Sequence, residues 1–417
     1  MSTESESLVG GASQTERRQA VLRKLNPITM PLRYQIGLLG LLLFVLLPTQ
    51  LFPDQMGGPT TLVFLAIFGM SWDVVSGYTG QLSFGHAFFF AVGGYTSAIL
   101  DLQHGITPLV GIPIGMLLAG IGGLLIGLPA LRLRGPYLSL VTLIVPIILS
   151  KLFTLFNNGL TPLGIPLAPE GLGGRNGPGL PTQLFGIDGS GAVFELASGY
   201  EGIQQTALAN YYTALGLMVL VLIVLLAVTR SSAGSVFTAI REDEDAVAAA
   251  GLDGAKFKLF AFVLSAVVGG LAGAMWVHTI KSPSPLGILG QDDIQTSIDV
   301  IIISILGGTG TIVGPIIGAV LFAVTGLVIG AIDFTIPVVN VAVADLRPLP
   351  LLAAAMAVLV FAPGGVLRVG IRTGRRVLAS ARGEEYEGGP GEDEDSALGQ
   401  IVEKYRTELR EIINERR

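Results

Sequence analysis

Two aspartates in apolar surroundings are the first residues here whose type and placing could do chemistry. They are Asp73 in the run Ser71–Val74 and Asp299 in the run Ser297–Val300. A carboxylate in hydrocarbon costs at least about 2.5 kcal/mol, so such residues face a bundle interior or water. Two roles fit: lining a path for a polar solute, or accepting hydrogen bonds from a neighbouring helix or turn. Each aspartate precedes a glycine break. Gly77, Thr79, Gly80 and Gly85 follow the first; Gly307, Thr309, Gly310 and Gly314 follow the second. The second copy carries four extra residues between aspartate and break, about one helical turn. Glycine-interrupted spans at matching places in two halves point to a transport pathway. The pathway candidates are Asp73, Ser83, Gly85, His86, Asp299 and Gly310.

Other chemistries drop out. Ser83 and His86 have the types of a nucleophile and a base, but no acyl-transfer motif surrounds them. The chain has no Cys, which removes thiol nucleophiles, thiolate metal ligands and disulfides. Its three His leave little for a His-rich metal centre. No phosphate loop of the G-x-x-x-x-G-K-S/T kind occurs. The expectation is a chain that is not an enzyme, with no catalytic residue, no metal and no cofactor of its own.

The elements that position the aspartates must be membrane helices. Charged residues are 13% and apolar residues 51% of 417, and mean hydropathy is +0.68; an ordinary globular chain is about 25% charged. A span needs about 20 mostly apolar residues. The pattern predicts Tyr34–Phe52, Thr60–Gly77, Ala87–Leu102, Pro108–Ala130, Pro136–Phe156, Tyr211–Thr229, Leu259–His278, Ile312–Phe334 and Leu349–Ala362, with Thr296–Leu306 as a short or half span. The fold class is thus all-α and polytopic, with about ten transmembrane helices and a possible two-half internal repeat. A basic arm, residues 1–33, precedes the permeation body, residues 34–366, and residues 367–417 form a tail. Within that tail Gly383–Asp395 is a solvated acidic linker and Ser396–Arg417 a helix.

Lys and Arg set the orientation. With the N-terminus inside, 21 basic residues fall in inside segments and three, Arg175, Lys281 and Arg347, outside. Both termini are then cytoplasmic. Residues 157–210 form an external segment rich in Gly and Pro, and residues 230–258 form a cytoplasmic loop. Small residues at four-residue spacing (Gly111/Gly115, Gly123/Gly127, Gly269/Gly273, Gly314/Gly318, Gly326/Gly330) predict close helix packing.

The cytoplasmic loop is the most informative stretch. Phe237, Ile240, Val247 and Ala248 trace one amphipathic helix over Phe237–Ala250, which Gly251 ends. Four consecutive acids, Glu242–Asp245, argue against its lying on an anionic leaflet. A groove on another protein suits it better.

Four segments carry a family resemblance, in order along the chain: GQLSFGHAFFFAVGGYTSAIL from Gly80, LRLRGPYLSLVTL from Leu131, AIREDEDAVAAAGLDGAKFKLFAFVLSAVVGGLAGAM from Ala239 and GGTGTIVGPIIGAVL from Gly307. Together they resemble the LivM-like permease subunits of branched-chain amino-acid ABC importers, over roughly Thr60 to Gly365. The acidic tail and the long external segment depart from the usual pattern. The resemblance implies inward transport across the cell membrane and a LivH-like second permease. It also implies two cytosolic ATPases that bind ATP-Mg, and an external binding protein. It further implies that Glu244, Ala246, Ala250 and Gly251 seat the loop helix in an ATPase groove, Val247 replacing the usual second alanine. Gly85 would then open a helix whose free amides meet a passing α-carboxylate, and Asp73 or Asp299 would attract the α-ammonium. Urea or short-amide permeases and a stand-alone secondary transporter are the alternatives.

Overall fold

The computed structural model of the protein describes residues 46, 56–131, 136–162, 165–174, 176–196, 200–280, 284–289, 294–330, 335–336, 341–342, 348–361 and 364–382. The span expected at Tyr34–Phe52, apart from Leu46, and the tail beyond Arg382 lie outside the described residues. The account below concerns the unit Gly57–Arg417.

Helix α1, Gly57–Asp73, runs on through a π-helical turn, Val74–Tyr78. Then come α2 Ala87–His104, α3 Pro108–Ala130 and α4 Pro136–Leu155. A short parallel pair, β1 Phe185–Ile187 with β2 Phe194–Leu196, precedes α5 Tyr200–Thr229. The loop that follows holds α6 Ser232–Glu242 and α7 Glu244–Ala249. After it come α8 Gly254–Ile280, α9 Pro285–Leu289, α10 Gln295–Gly307 and α11 Gly314–Gly330. An antiparallel pair, β3 Thr335–Ile336 with β4 Val341–Ala342, α12 Pro348–Phe361 and α13 Gly365–Arg382 complete the described chain.

Among the described residues, five helices are long and apolar enough to cross a membrane: Gly57–Tyr78, Pro108–Ala130, Tyr137–Leu155, Gly202–Thr229 and Gly254–Ile280. Burial separates centre from periphery. Most residues of α1 and α8 are buried, against about a third of those in α3, α4 and α5. The exposed Leu117, Leu125, Ile144, Leu220 and Ile223 of those outer helices make an apolar exterior suited to lipid.

Missing side chains let α2, α3 and α8 touch backbone to backbone. A methyl group on Gly93 would overlap the Gly270 backbone, one on Gly273 the Phe90 carbonyl, and one on Gly270 the Ala119 side chain. Most of the four-spaced glycines face neighbours in this way: Gly115 meets Gly93, Gly123 meets Ala266 and Gly318 meets the Ile303 carbonyl. Gly326 does not, with nothing within 4 Å. Backbone overlap cannot be relieved by a rotamer change, and overpacking typically costs about 1–3 kcal/mol. Gly93→Ala is therefore expected to lower the melting temperature of the detergent-solubilised protein by several degrees, whereas Gly326→Ala leaves it unchanged.

The helices divide the molecule into two ends. Helix α8 spans about 40 Å at 1.5 Å per residue. At its Gly254 end lie α6, α7 and the glycine breaks. At its Ile280 end, the Leu184 amide donates to the His278 carbonyl (3.0 Å) and the His104 Nε2 meets the Leu167 carbonyl (3.0 Å), so the chain around Leu167 and Leu184 packs there.

Three expectations need correction. Helix α5 starts at Tyr200 rather than at the expected Tyr211; its polar first turns hide it from a hydropathy reading. The single helix Phe237–Ala250 is two. Asp243 leaves the helical region (φ −155°, ψ 104°) and caps α7, its carboxylate accepting from the Asp245 and Ala246 amides at 2.9 and 3.0 Å. Helix α13 was not expected, since Arg368 and Arg372 place it in the charged tail by composition alone.

Candidate functional site

The two glycine breaks meet at the α6 end of the bundle. Asp73, the last residue of α1, is fully buried. Its Oδ1 accepts from the Gly310 amide at 2.8 Å, and its Oδ2 has no partner among the described residues. Gly77 lies beside this bond: a methyl group there would overlap Asp73 Oδ1 and sit 2.5 Å from the Gly310 nitrogen. Gly80 and Gly310 both adopt φ +72°, a left-handed conformation that a side chain resists. The π turn that follows α1 at this contact is the kind of helix irregularity found at functional sites. The Arg241 Nη1, from α6, donates to the Gly77 carbonyl at 2.7 Å.

Asp299 stands apart from this cluster. It is half-buried in α10, and no hydrogen bond or ion pair to it is found among the described residues. Its neighbour Ser297 does form a link, the Oγ accepting from the Ala87 amide at 3.0 Å.

The Ser83 and His86 side chains are not brought together. His86 is buried between Phe68 and Phe89, with ring centroids at 4.9 and 5.5 Å. Its Nε2 lies 2.8 Å from Ser71 Oγ, and Ser71 already donates its own hydroxyl proton to the Phe68 carbonyl at 2.7 Å. His86 therefore donates through Nε2, and Nδ1 is bare among the described residues. Ser83 is held through its backbone, its carbonyl accepting from Trp72 Nε1 (2.7 Å) and its amide donating to Ser76 Oγ (3.2 Å). Both side chains are buried at the α1–α2 junction.

The anion site expected beyond Gly85 is closed. A methyl group on Gly85 would overlap the Thr142 carbonyl. The local amides are already bonded: Phe84 to Thr142 Oγ1 (3.1 Å), Ala87 to Ser297 Oγ, Phe88 to the Gly85 carbonyl (3.0 Å) and Phe89 to the His86 carbonyl (3.1 Å).

The loop residues fall as a projecting unit. Ser231 caps α6, accepting from the Ala233 amide (3.2 Å), while Phe237, Ile240 and Val247 are buried. Gly251 sits at φ +79°. The Leu252 amide bonds the Val247 carbonyl (3.2 Å) and the Gly251 amide the Ala248 carbonyl (3.0 Å), which is a Schellman ending. Ala246 and Ala250 are exposed. Glu244 accepts from the Lys258 ammonium at 2.7 Å, with the Lys258 side chain only 4% exposed. That pair ties α7 to the start of α8, while the Glu244 side chain itself stays 37% exposed.

Sequence reading missed Arg241, Lys258 and His278, counting the two cations only toward orientation. His278 Nδ1 meets the Thr182 carbonyl (2.7 Å), its Nε2 meets Ser97 Oγ (2.7 Å), and the Thr182 amide donates to Asp101 Oδ2 (2.5 Å). This network holds Thr182 against α2 and α8. Beside it is a cavity of about 560 Å³ lined by Thr182, Gln183, Ile187, Thr206, Asn210 and Thr279 among others.

These features define a class: a helical membrane protein whose buried core joins two interrupted helices to a projecting two-helix loop. The family described as branched-chain amino acid transport system, permease component, matches residues 57–361, and the chain belongs to it. Two curated relatives are the high-affinity branched-chain amino acid transport system permease proteins LivM of Escherichia coli and of Salmonella typhimurium. Each is 33% identical over 275 residues, 64% of this chain. The chain spans 61% of the length of each of these relatives. No solved structure matches it significantly.

Proposed function

We propose that this chain is the permease subunit of an ATP-driven importer that moves branched-chain, or other hydrophobic, amino acids inward across the cell membrane. ATP-Mg is bound and hydrolysed on two separate cytosolic ATPase subunits. A second permease subunit pairs with this one, and an external binding protein delivers substrate. One observation carries the reading: α6 and α7 form a capped projection at one end of the bundle, presenting the small residues Ala246 and Ala250 to solvent. A small-residue helix face on a rigid mount suits a groove on a partner protein.

About ten spans in two similar halves go with this reading. Supporting the repeat, Gly80 and Gly310 occupy matching positions and share φ +72°. At the other end, Gln183 donates through Nε2 to the Pro181 carbonyl (3.1 Å), and the buried Gln183 Oε1 and Asn210 Oδ1 have no partner among the described residues.

The test is co-purification and uptake. The tagged chain is expected to bring two ATPase subunits and a second permease from its native membrane. Proteoliposomes holding that complex should take up labelled leucine, isoleucine and valine when ATP and the binding protein are present. Uptake of urea instead would reassign the substrate. Leucine uptake driven by an ion gradient without ATPase subunits would make the chain a secondary transporter. Orientation is tested separately: a reporter after Asn176 should read outside and one after Asp253 inside, and the same side for both would overturn the assignment.

A further inference from the structure

We infer that Arg241 is the positioning residue that carries motion of the cytoplasmic loop to both interrupted helices at once. The inference rests on the importer reading above and adds the connection that reading lacks. Arg241 is the penultimate residue of α6, two positions before the break at Asp243. Its guanidinium donates to the Gly77 carbonyl at 2.7 Å. That carbonyl lies in the last turn of the interrupted first helix, where carbonyls lose their intrahelical partners. The same side chain packs on the two glycines that end the breaks. A methyl group at Gly80 would stand 3.2 Å from Arg241 Cγ, and one at Gly310 2.6 Å from Arg241 Nη1. Gly310 in turn donates to Asp73, the residue just before the first π turn. One side chain thus touches Gly80 and Gly310, which are 230 positions apart in sequence and end matching segments.

The geometry suits transmission better than stability. Arg241 belongs to α6, which continues through Asp243 into α7, the helix offered to the partner. It is exposed, so its charge is screened, and the directional hydrogen bond and the fit against two bare glycines do the holding. A guanidinium has a fixed planar fork of donors, whereas a lysine ammonium is a point charge on a flexible stem. A shift of α6 must either drag the Gly77 turn with it or break this bond. Because Gly310 bears on the same side chain, the two halves respond together.

The absence of Cys from the chain makes single-thiol labelling clean. Arg241→Gln and Arg241→Lys would be placed in the whole complex in proteoliposomes, in backgrounds carrying either Leu82→Cys, exposed beside the first break, or Ala249→Cys on α7. ATPase co-purification, ATP hydrolysis, leucine uptake and maleimide labelling with and without trapped ATP would be read together. Expected for Arg241→Gln are ATPase subunits at the unsubstituted level, ATP hydrolysis within about twofold, and uptake reduced at least tenfold. Trapping should still change the labelling of Ala249→Cys, while the change at Leu82→Cys is lost. Arg241→Lys should fall between, retaining charge without the fork. Uptake at the unsubstituted level in Arg241→Gln would overturn the inference. So would loss of the ATPase subunits, since Arg241 would then belong to the docking surface. If the unsubstituted chain brings no ATPase, the importer reading itself fails, and this inference with it.

Discussion

Gly251→Val is expected to remove the ATPase subunits from the purified complex and to abolish leucine uptake while leaving membrane insertion intact. Gly251 holds φ +79° at the Schellman ending of α7, with nothing within 4 Å of where a Cβ would be. The effect is therefore one of backbone and not of bulk. A left-handed conformation costs an L-residue roughly 1–2 kcal/mol, and more for a β-branched one. The short helix has few bonds with which to resist, so its last turn unwinds and Ala250 moves. Gly251→Asn should be tolerated, since asparagine visits that region readily. Ala246→Arg should give the same loss by another route: the site is exposed, so this chain folds normally, but the added bulk blocks seating. Glu244→Lys differs again, because it sets a second ammonium against the nearly buried Lys258 and should loosen α7 itself. Unchanged uptake with equal ATPase in Gly251→Val and Ala246→Arg would mean that this projection does not seat on an ATPase.

Helix positions were readable from the sequence because lipid imposes one rule, a long apolar run, on every span. Pro108–Ala130 falls as expected, and α1, α2, α4, α10, α11 and α12 fall within a few residues of expectation. The same rule fails where a helix is polar. The first turns of α5 and the Arg-bearing α13 carry no hydropathy signal. The break at Asp243 was hidden for a different reason. The apolar spacing across it keeps a helical period, and one side-chain cap outweighs that continuity.

The site was half readable. Asp73 and the glycine breaks stood out because a carboxylate and a backbone interruption are both expensive inside a membrane. Which groups they met could not be read, since the Asp73–Gly310 bond joins residues 237 positions apart. Arg241 looked like one more cytoplasmic cation, and only its reach across to Gly77 distinguishes it. Ser83 and His86 looked like a pair because they are near in sequence. In space the His86 ring bonds the Ser71 hydroxyl on α1 instead.

Asp73→Ala and Asp299→Ala are expected to fail in different ways. Removing the Asp73 carboxylate leaves the Gly310 amide without its acceptor in a buried site, a loss of about 1–3 kcal/mol, more where a charged partner goes. Gly77 is pressed against the same carboxylate, so a void also opens where the two interrupted helices meet. Asp73→Ala should therefore lower the yield of folded, assembled complex. Asp73→Asn keeps an oxygen of the same shape toward Gly310 and should restore most of that yield. Asp299 is half-buried with no partner among the described residues, so its removal orphans nothing there. Asp299→Ala and Asp299→Asn should both assemble normally, hydrolyse ATP and lose most leucine uptake, as fits a carboxylate that meets the passing α-ammonium. Size-exclusion profiles of fluorescently tagged variants report assembly, and proteoliposome uptake reports transport. Normal assembly of Asp73→Ala together with loss of assembly in Asp299→Ala would reverse the two roles, making Asp73 the pathway residue and Asp299 the structural one.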